Sequence, residues 1–469
     1  MFDTTLSQFK NKKILIVGMA REGLSSAEFL LKNLETVQIR VVDNKSLADL
    51  DKKWTPLLEE NANLKTIEAT QVKNEKFDFV FRTPGVRLSI LQEKYQPNKE
   101  AIITSNTQLF FDLINSLSTK PSSAKKPLII GVTGTKGKST TTSQVHHILS
   151  KTAGEITWQG LNNPQIHLGG NIGVPPLRLL ENRPHPENDI FVLEMSCHQL
   201  TDLKDSPQIG VIQDISPDHL DYYATFEKYV ETKTAICKYQ LGSDLVIYNA
   251  DSKTATEIAN LSSGEKIPFS LSDESLVSLI KSAPSPLLGK HNLYNTLPGV
   301  IIAQHLGISK NAIKGALSTF KSVSHRLELV KTAHGVRFYN DSAASAPEAT
   351  IAGIRAFADN SLILIVGGSD KGVTFEDLAR AILDSNIKFI VFFPTTGEKI
   401  LDAMRELDAH HSLINNNQFA SSMEEAVKII AKHAQSGDVV LLSPACASFN
   451  MFKSYEDRGD QFRKLVNFS

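Results

Sequence analysis

Cysteine is scarce. The 469 residues hold three, Cys197, Cys237 and Cys446, far apart and without the close spacing of a metal knuckle. That excludes a disulfide scaffold and predicts reduced thiols in a cytoplasmic setting. Charge of one sign is missing too: 50 Lys+Arg face 51 Asp+Glu, a formal net charge of -1. No electrostatic footprint for nucleic acid or a membrane surface results. No uninterrupted apolar run approaches the ~20 residues of a membrane helix, so no membrane insertion is expected. The opening residues lack an apolar core before a small-residue cleavage site, so no signal peptide is expected either. Internal repeats at solenoid periods and low-complexity tracts are absent, and nothing in the chain speaks to oligomeric state.

What is present is a globular composition, 41% hydrophobic and 22% charged, over a length that predicts two or three domains. The most informative stretch is Pro127 to Gly154. A β-type run, Leu128 to Val132, feeds the turn Gly134-Thr135-Lys136-Gly137, and Lys138, Ser139 and Thr140 follow. A helical pattern comes next, with Val145, Ile148 and Leu149 on one face and Gly154 as its expected stop. Strand, glycine turn and helix are what a phosphate-cradling loop requires: glycines turn backbone N–H groups toward one point, and the helix N-terminus adds partial positive charge. Lys138 would reach the terminal phosphates, and a Ser139 or Thr140 hydroxyl would sit on magnesium. The spacing departs from the usual by one place, with Gly131 as the first glycine and Val132 after it. An ordinary glycine turn would not account for the Lys-Ser-Thr-Thr run.

Upstream, a strand from Ile14 to Val17 runs into Gly18-Met19-Ala20-Arg21-Glu22-Gly23. A helical stretch and a second strand, Val37 to Val42, then end at Asp43. This is a dinucleotide-type βαβ pattern, open to a nicotinamide cofactor, another nucleotide, or a purely structural turn. Pro84 and Gly85 follow a further strand, Phe77 to Phe81. The polar, proline-bounded stretch Ser116 to Pro127 marks a first boundary and Lys321 to Ser324 a second. The expected domains are thus 1–120, 121–322 and 323–469. In the middle, Glu194 ends the strand Ile190 to Leu193, well placed for magnesium or merely exposed at a strand end. His219 follows the strand Ile209 to Ile215 and reads either as a metal ligand or as a satisfied loop histidine. Lys233, among Glu227, Lys228 and Glu231, reads by default as part of a solvated helix face. Asn292 and Asn295 share one helical face and can present amides to a base or phosphate, or pair structurally. Arg326 stands at a junction, free to reach a phosphate or an acid. In the last segment, Ser345-Ala346-Pro347-Glu348 reads as a capping box with proline in the first turn. Four strands there, with intervening helices, predict a second small doubly wound sheet.

Read together, Gly134 to Thr140, Gly170-Asn171-Ile172-Gly173, Glu194 to Leu200, Asp218-His219-Leu220-Asp221, His291-Asn292 with Asn295, His325-Arg326, Asp341-Ser342 and Ser443 to Ser448 occur in order. Over essentially the whole chain they resemble the Mur ligase family of peptidoglycan synthesis. The Ser-Pro-Ala-Cys-Ala-Ser stretch, with Arg458-Gly459 and Phe462, resembles its glutamate-adding branch. The resemblance implies an α/β protein of three domains: a Rossmann-like UDP-binding domain, a P-loop-type ATPase domain and a Rossmann-like glutamate-binding domain. It implies an ATP-dependent ligase joining glutamate to UDP-N-acetylmuramoyl-L-alanine through an acyl phosphate. Gly18, Asp43, Pro84, Gly85 and Asn171 would serve the UDP-substrate. Gly134 to Thr140, Asn292, Asn295, Arg326 and Asp341 would serve ATP. Ser139, Glu194, His219 and Lys233 as a carbamate would hold Mg2+, and Ser345, Lys371, Ser448 and Tyr455 would seat glutamate. One departure stands out: the family carries lysine after the Asp-Ser pair, and here Ala343 follows. That implies a compensating lysine elsewhere or use of L-glutamate. A folyl-polyglutamate-type ligase shares the ATP domain but lacks the N-terminal nucleotide-type unit.

Overall fold

The computed structural model describes residues 2–45, 52–117, 127–181, 188–283, 289–321, 323–370 and 372–468. It is a mixed α/β protein built on three sheets. By contacts it divides into two units, Met1–Ala283 with Tyr294–Leu317, and Pro284–Leu293 with Ser318–Ser469. The expected boundary at 120/121 and Ser322 beside the second lie outside the described residues.

In the first unit, β1 (Lys13–Val17), β2 (Gln38–Val42), β3 (Leu64–Thr66), β4 (Phe79–Arg82) and β5 (Ile102–Thr104) form a parallel sheet in the order β3-β2-β1-β4-β5. A second parallel sheet contains β6 (Leu128–Thr133), β7 (Gln165–Gly170), β8 (Asp189–Glu194), β9 (Ile209–Ile212), β10 (Leu245–Asn249) and β11 (Glu265–Phe269). Its order is β11-β10-β9-β6-β8-β7. The apolar runs of β6, β8 and β9 are buried throughout, as strands covered on both faces must be. Parallel pairing puts every strand's carboxyl end on one edge. Crevices open there where the order reverses, next to β1 and next to β6. One cluster of buried apolar side chains includes residues of both sheets, among them Ile16, Phe81, Phe110, Phe191 and Leu193. Buried polar ties reinforce it: Arg82 is ion-paired with Asp202, and Gln199 donates to Glu22 at 2.6 Å.

The helix after the phosphate-type loop runs Lys138–Lys151. It ends before Gly154 because Thr152 satisfies its last turn, with its N–H and hydroxyl both on the Ile148 carbonyl. Gly154 falls instead in a separate turn, Ala153–Glu155.

Among the described residues the second unit has six strands, two more than expected. They are β12 (Glu328–Ala333), β13 (Val336–Asn340), β14 (Leu362–Gly367), β15 (Ile387–Phe393), β16 (Asn417–Phe419) and β17 (Val439–Leu442). The order is β12-β13-β17-β14-β15-β16, with β12 antiparallel to β13 and the rest parallel. The two unexpected strands are its edges. Both are partly or fully exposed along their length, so neither carries the apolar run that marked the inner four. Ser345 is not a cap: the helix Pro347–Arg355 has Ala346 at that position, with no side-chain bond, and Pro347 in its first turn.

Candidate functional site

In the first unit the expected residues gather at the carboxyl edge of each sheet. Val132 of β6 lies opposite Glu194 of β8, and Thr133 opposite Ile212 of β9, so three strand ends meet around the phosphate-type loop. Gly137 has φ +83°, and a Cβ there would lie 2.2 Å from Asn295 Oδ1. Gly134 is likewise pressed on Gln213. These glycines let the backbone turn where side chains would collide. Lys138 Nζ donates to the carbonyls of Gly134 and Thr135 at 2.8 and 2.9 Å. Lys136 is exposed, Ser139 half-buried and Thr140 buried. Thr135 has another occupation: its hydroxyl reaches the Ser216 carbonyl, the Ser216 N–H and Tyr229 Oη.

Glu194 is buried, not a surface carboxylate. Its Oε1 accepts from Asn171 Nδ2 at 2.6 Å, while its Oε2 is buried without a hydrogen-bond partner. An unmet carboxylate oxygen in such a place awaits a cation or donor. Lys233 overturns the solvated-face expectation. At 1% exposure it closes the helix Phe226–Lys233, turned inward over the Tyr229 ring, with Nζ donating to the Gly134 carbonyl at 3.0 Å. Burial, and then the Lys138 charge, pull its pKa down to about 7. His219 is about half exposed and sits at φ +52°, its ring 4.9 Å from that of His198.

Around the first sheet, Gly18 (φ +96°) abuts Thr83, where a Cβ would lie 1.9 Å from Oγ1. Asp43 at the end of β2 accepts from the Met19 N–H at 2.6 Å and so braces the Gly18 loop. Pro84 and Gly85 follow β4, and Gly85 is exposed with open space around its Cα. Arg21 donates to the carbonyls of Asn171 and Gly173.

In the second unit, Asp341 follows β13 and is buried. Its carboxylate accepts from Ser443 Oγ at 2.8 Å and the Leu327 N–H at 3.1 Å, and burial pushes its pKa up to about 7. Arg326 is exposed, Asn292 and Ser448 are buried, Ser345 and Ala343 are half-buried, and Tyr455 is exposed. Lys371 lies outside the described residues. Arg458 is fully buried and donates to Ser342 Oγ and to the carbonyls of Ser342, Cys446 and Ala447, which ties the two loops together.

Several site-lining groups escaped sequence reasoning. Glu22 is buried, its pKa raised to about 7 by desolvation against the hydrogen bond from Gln199. Its place inside the Gly18 loop was the one available signal. Gln213 braces the loop through Thr141 Oγ1 and the Tyr294 carbonyl, and nothing in a lone glutamine announces that.

A cradle of glycines, a lysine, an unmet carboxylate and a buried amine at the carboxyl edge of a parallel sheet define a phosphate-handling α/β enzyme. Residues 132–303 match the Mur ligase middle domain and residues 325–446 the Mur ligase glutamate ligase domain. The chain is 33% identical over 482 residues to the UDP-N-acetylmuramoylalanine--D-glutamate ligase of Clostridium botulinum (strain Langeland), covering 99% of each. It is 35% identical to the protein of the same name from Acetivibrio thermocellus, over 83% of each. In fold it is similar to a UDP-N-acetylmuramate-alanine ligase of Thermotoga maritima, with a TM-score of 0.55 at 17% identity, covering 97% of this chain and 99% of that one. The chain belongs to the Mur ligase family. Members of that family are ATP-dependent ligases that form amide bonds, and they use ATP and Mg2+. The residues fit both: the glycine cradle suits phosphates, and the orphaned Glu194 oxygen suits a hard cation. Among the described residues, no helix is long and apolar enough to cross a membrane.

Proposed function

We propose that this protein joins D-glutamate to the alanyl carboxylate of UDP-N-acetylmuramoyl-L-alanine, with ATP hydrolysed to ADP and phosphate, in peptidoglycan precursor synthesis. The observation that carries the reading is the meeting of Lys138, Glu194 and Lys233 at the ends of β6 and β8 and beside the glycine loop. Likeness over 99% of the chain to a ligase of that name supports it. Three functional segments follow: residues 1–120, Rossmann-like, for the UDP-substrate; 121–322, of P-loop type, for ATP and magnesium; and 323–469, Rossmann-like, for glutamate.

The chemistry must bring a carboxylate against a triphosphate, anion against anion. Lys138 leaves the carbonyls of Gly134 and Thr135 for the β- and γ-phosphates, so its charge moves to where repulsion is greatest. An alanyl carboxylate oxygen bonds to the γ-phosphorus as the bond to the ADP oxygen breaks. The amine of glutamate, once deprotonated, then attacks the acyl carbon and phosphate leaves. Ser139, Glu194, His219 and Lys233 would hold Mg2+, which would supply charge neutralisation between the two anions. Lys233 takes part as a carbamate: an ammonium repels a cation, whereas the carbamate formed from its neutral amine and CO2, with release of one proton, presents an anion. Its burial, which keeps much of the amine neutral near pH 7, supports that modification. Gly18, Asp43, Pro84, Gly85 and Asn171 line the UDP-substrate's path. Asn292, Asn295, Arg326 and Asp341 would serve the nucleotide, as the family resemblance implies. Ser345, Lys371, Ser448 and Tyr455 seat glutamate.

Ala343, where the family carries lysine, favours L-glutamate as the second reading. Ligation assays read by mass spectrometry, with each enantiomer offered separately, decide between them. Product with D-glutamate alone is expected; product with L-glutamate alone reverses the stereochemistry, and no product with either overturns the glutamate assignment.

A further inference from the structure

The turn after β8 and the loop after β9 carry a ligand set that overlaps the proposed magnesium set at His219 alone. Cys197, His198 and His219 each offer one ligand atom, and these atoms lie within 4.8 Å of one another. The fold builds this cluster. β8 and β9 flank β6, so their carboxyl ends open on either side of the β6 end. Ser196 caps the short helix Cys197–Leu200 and fixes the first two ligands, and Arg82 holds the His198 carbonyl at 2.9 Å. His219, at φ +52°, turns its ring to 4.9 Å from that of His198. His198 Nδ1 lies 2.8 Å from Tyr223 Oη, which itself lies 3.4 Å from Thr201 Oγ1. That phenol contact holds the His198 ring in place.

We propose that Cys197, His198 and His219 form a binding site for a soft divalent cation of the zinc type. One thiolate and two imidazoles suit zinc or cobalt and are poor company for magnesium, which takes oxygen ligands. Binding forms the Sγ–metal bond as the thiol proton leaves to solvent. Three protein ligands leave a fourth position open. The site shares His219 with the magnesium set, so an ion here takes that imidazole from the ligase reaction; this consequence rests on the function proposed above. Zinc is then an inhibitor that competes with magnesium.

The test uses the full chain and cobalt(II) alone as the probe. One equivalent should produce a thiolate-to-cobalt charge-transfer band, and one equivalent of zinc should erase it. Cys197→Ser should abolish the band, and His198→Phe should weaken cobalt binding about tenfold or more. Both variants should keep magnesium-dependent phosphate release while zinc ceases to inhibit. Absence of the band from the unaltered protein, or its survival in Cys197→Ser, overturns the proposal. The band needs no turnover, so a protein that shows it yet releases no phosphate supports this site and sinks the ligase reading instead.

Discussion

At the scale of single residues, three charged groups are held where water would not put them. Lys138 spends its ammonium on two loop carbonyls. Its replacement by alanine should lower phosphate release roughly 10²–10³-fold with little change in melting temperature, by analogy with the loss of one oxyanion donor. Lys233 is the sharper case. Its pKa falls to about 7 against 10.5 when unfolded, so between those values the unfolded chain binds more protons and stability rises with pH. Below pH 7 the cost of the buried charge is fully present. In CO2-free buffer at pH 7, Lys233→Met should therefore raise stability by about 1–4 kcal/mol, an advantage that shrinks toward pH 10.5, while activity disappears. Thermal melts across pH, set beside turnover, check both halves. Glu22 has the opposite sign. Its pKa is raised from 4.5 to about 7, so its contribution is intact below pH 4.5 and lost as pH climbs through 7. Glu22→Gln should stabilise by about 1–3 kcal/mol at pH 8 and make no difference at pH 4. Urea unfolding at the two pH values measures the contrast. None of this burial was legible in the sequence. Lys233 sits among charged neighbours in the chain, and only the turn of its helix end toward Gly134 decides its environment.

At the scale of elements, the proposed function assigns ATP to the glycine turn after β6 and the UDP-substrate to the one after β1. Gly137→Ala forces a side chain onto Asn295 at a positive φ, and Gly18→Ala does the same against Thr83. Strain above ~1 kcal/mol in either loop should weaken binding several-fold. Calorimetric titration should find ATP affected in the first variant and the UDP-substrate in the second; a crossed pattern would contradict the assignment. These elements were readable because buried parallel strands appear as apolar runs and because glycines cluster where they end. The edge strands β12 and β16 were not, since half-exposed strands share their composition with loops. Ser345 misled for a related reason. A serine three residues before glutamate has the form of a cap, but the loop carries Ala346 into that position and Pro347 starts the helix.

At the scale of the whole molecule, the order of motifs along 469 residues told more than any local pattern, because each alone admits a bland use. The lone glycine turn after β1 left several cofactors open, and only its company narrowed them. In the second unit Ser448 is buried, next in the chain to Ala447, whose carbonyl accepts from Arg458. Loss of its hydroxyl should raise the KM for glutamate about tenfold or more, from a charge-assisted bond of ~1.5–3 kcal/mol, and leave kcat nearly unchanged. Initial rates over a glutamate series test that. The central claim is that ATP activates the stem carboxyl itself. The most direct measurement labels the alanyl carboxylate of the muramoyl substrate with heavy oxygen and follows it through one round of ligation. One labelled oxygen should emerge in inorganic phosphate; label retained entirely in the peptide product would contradict the account.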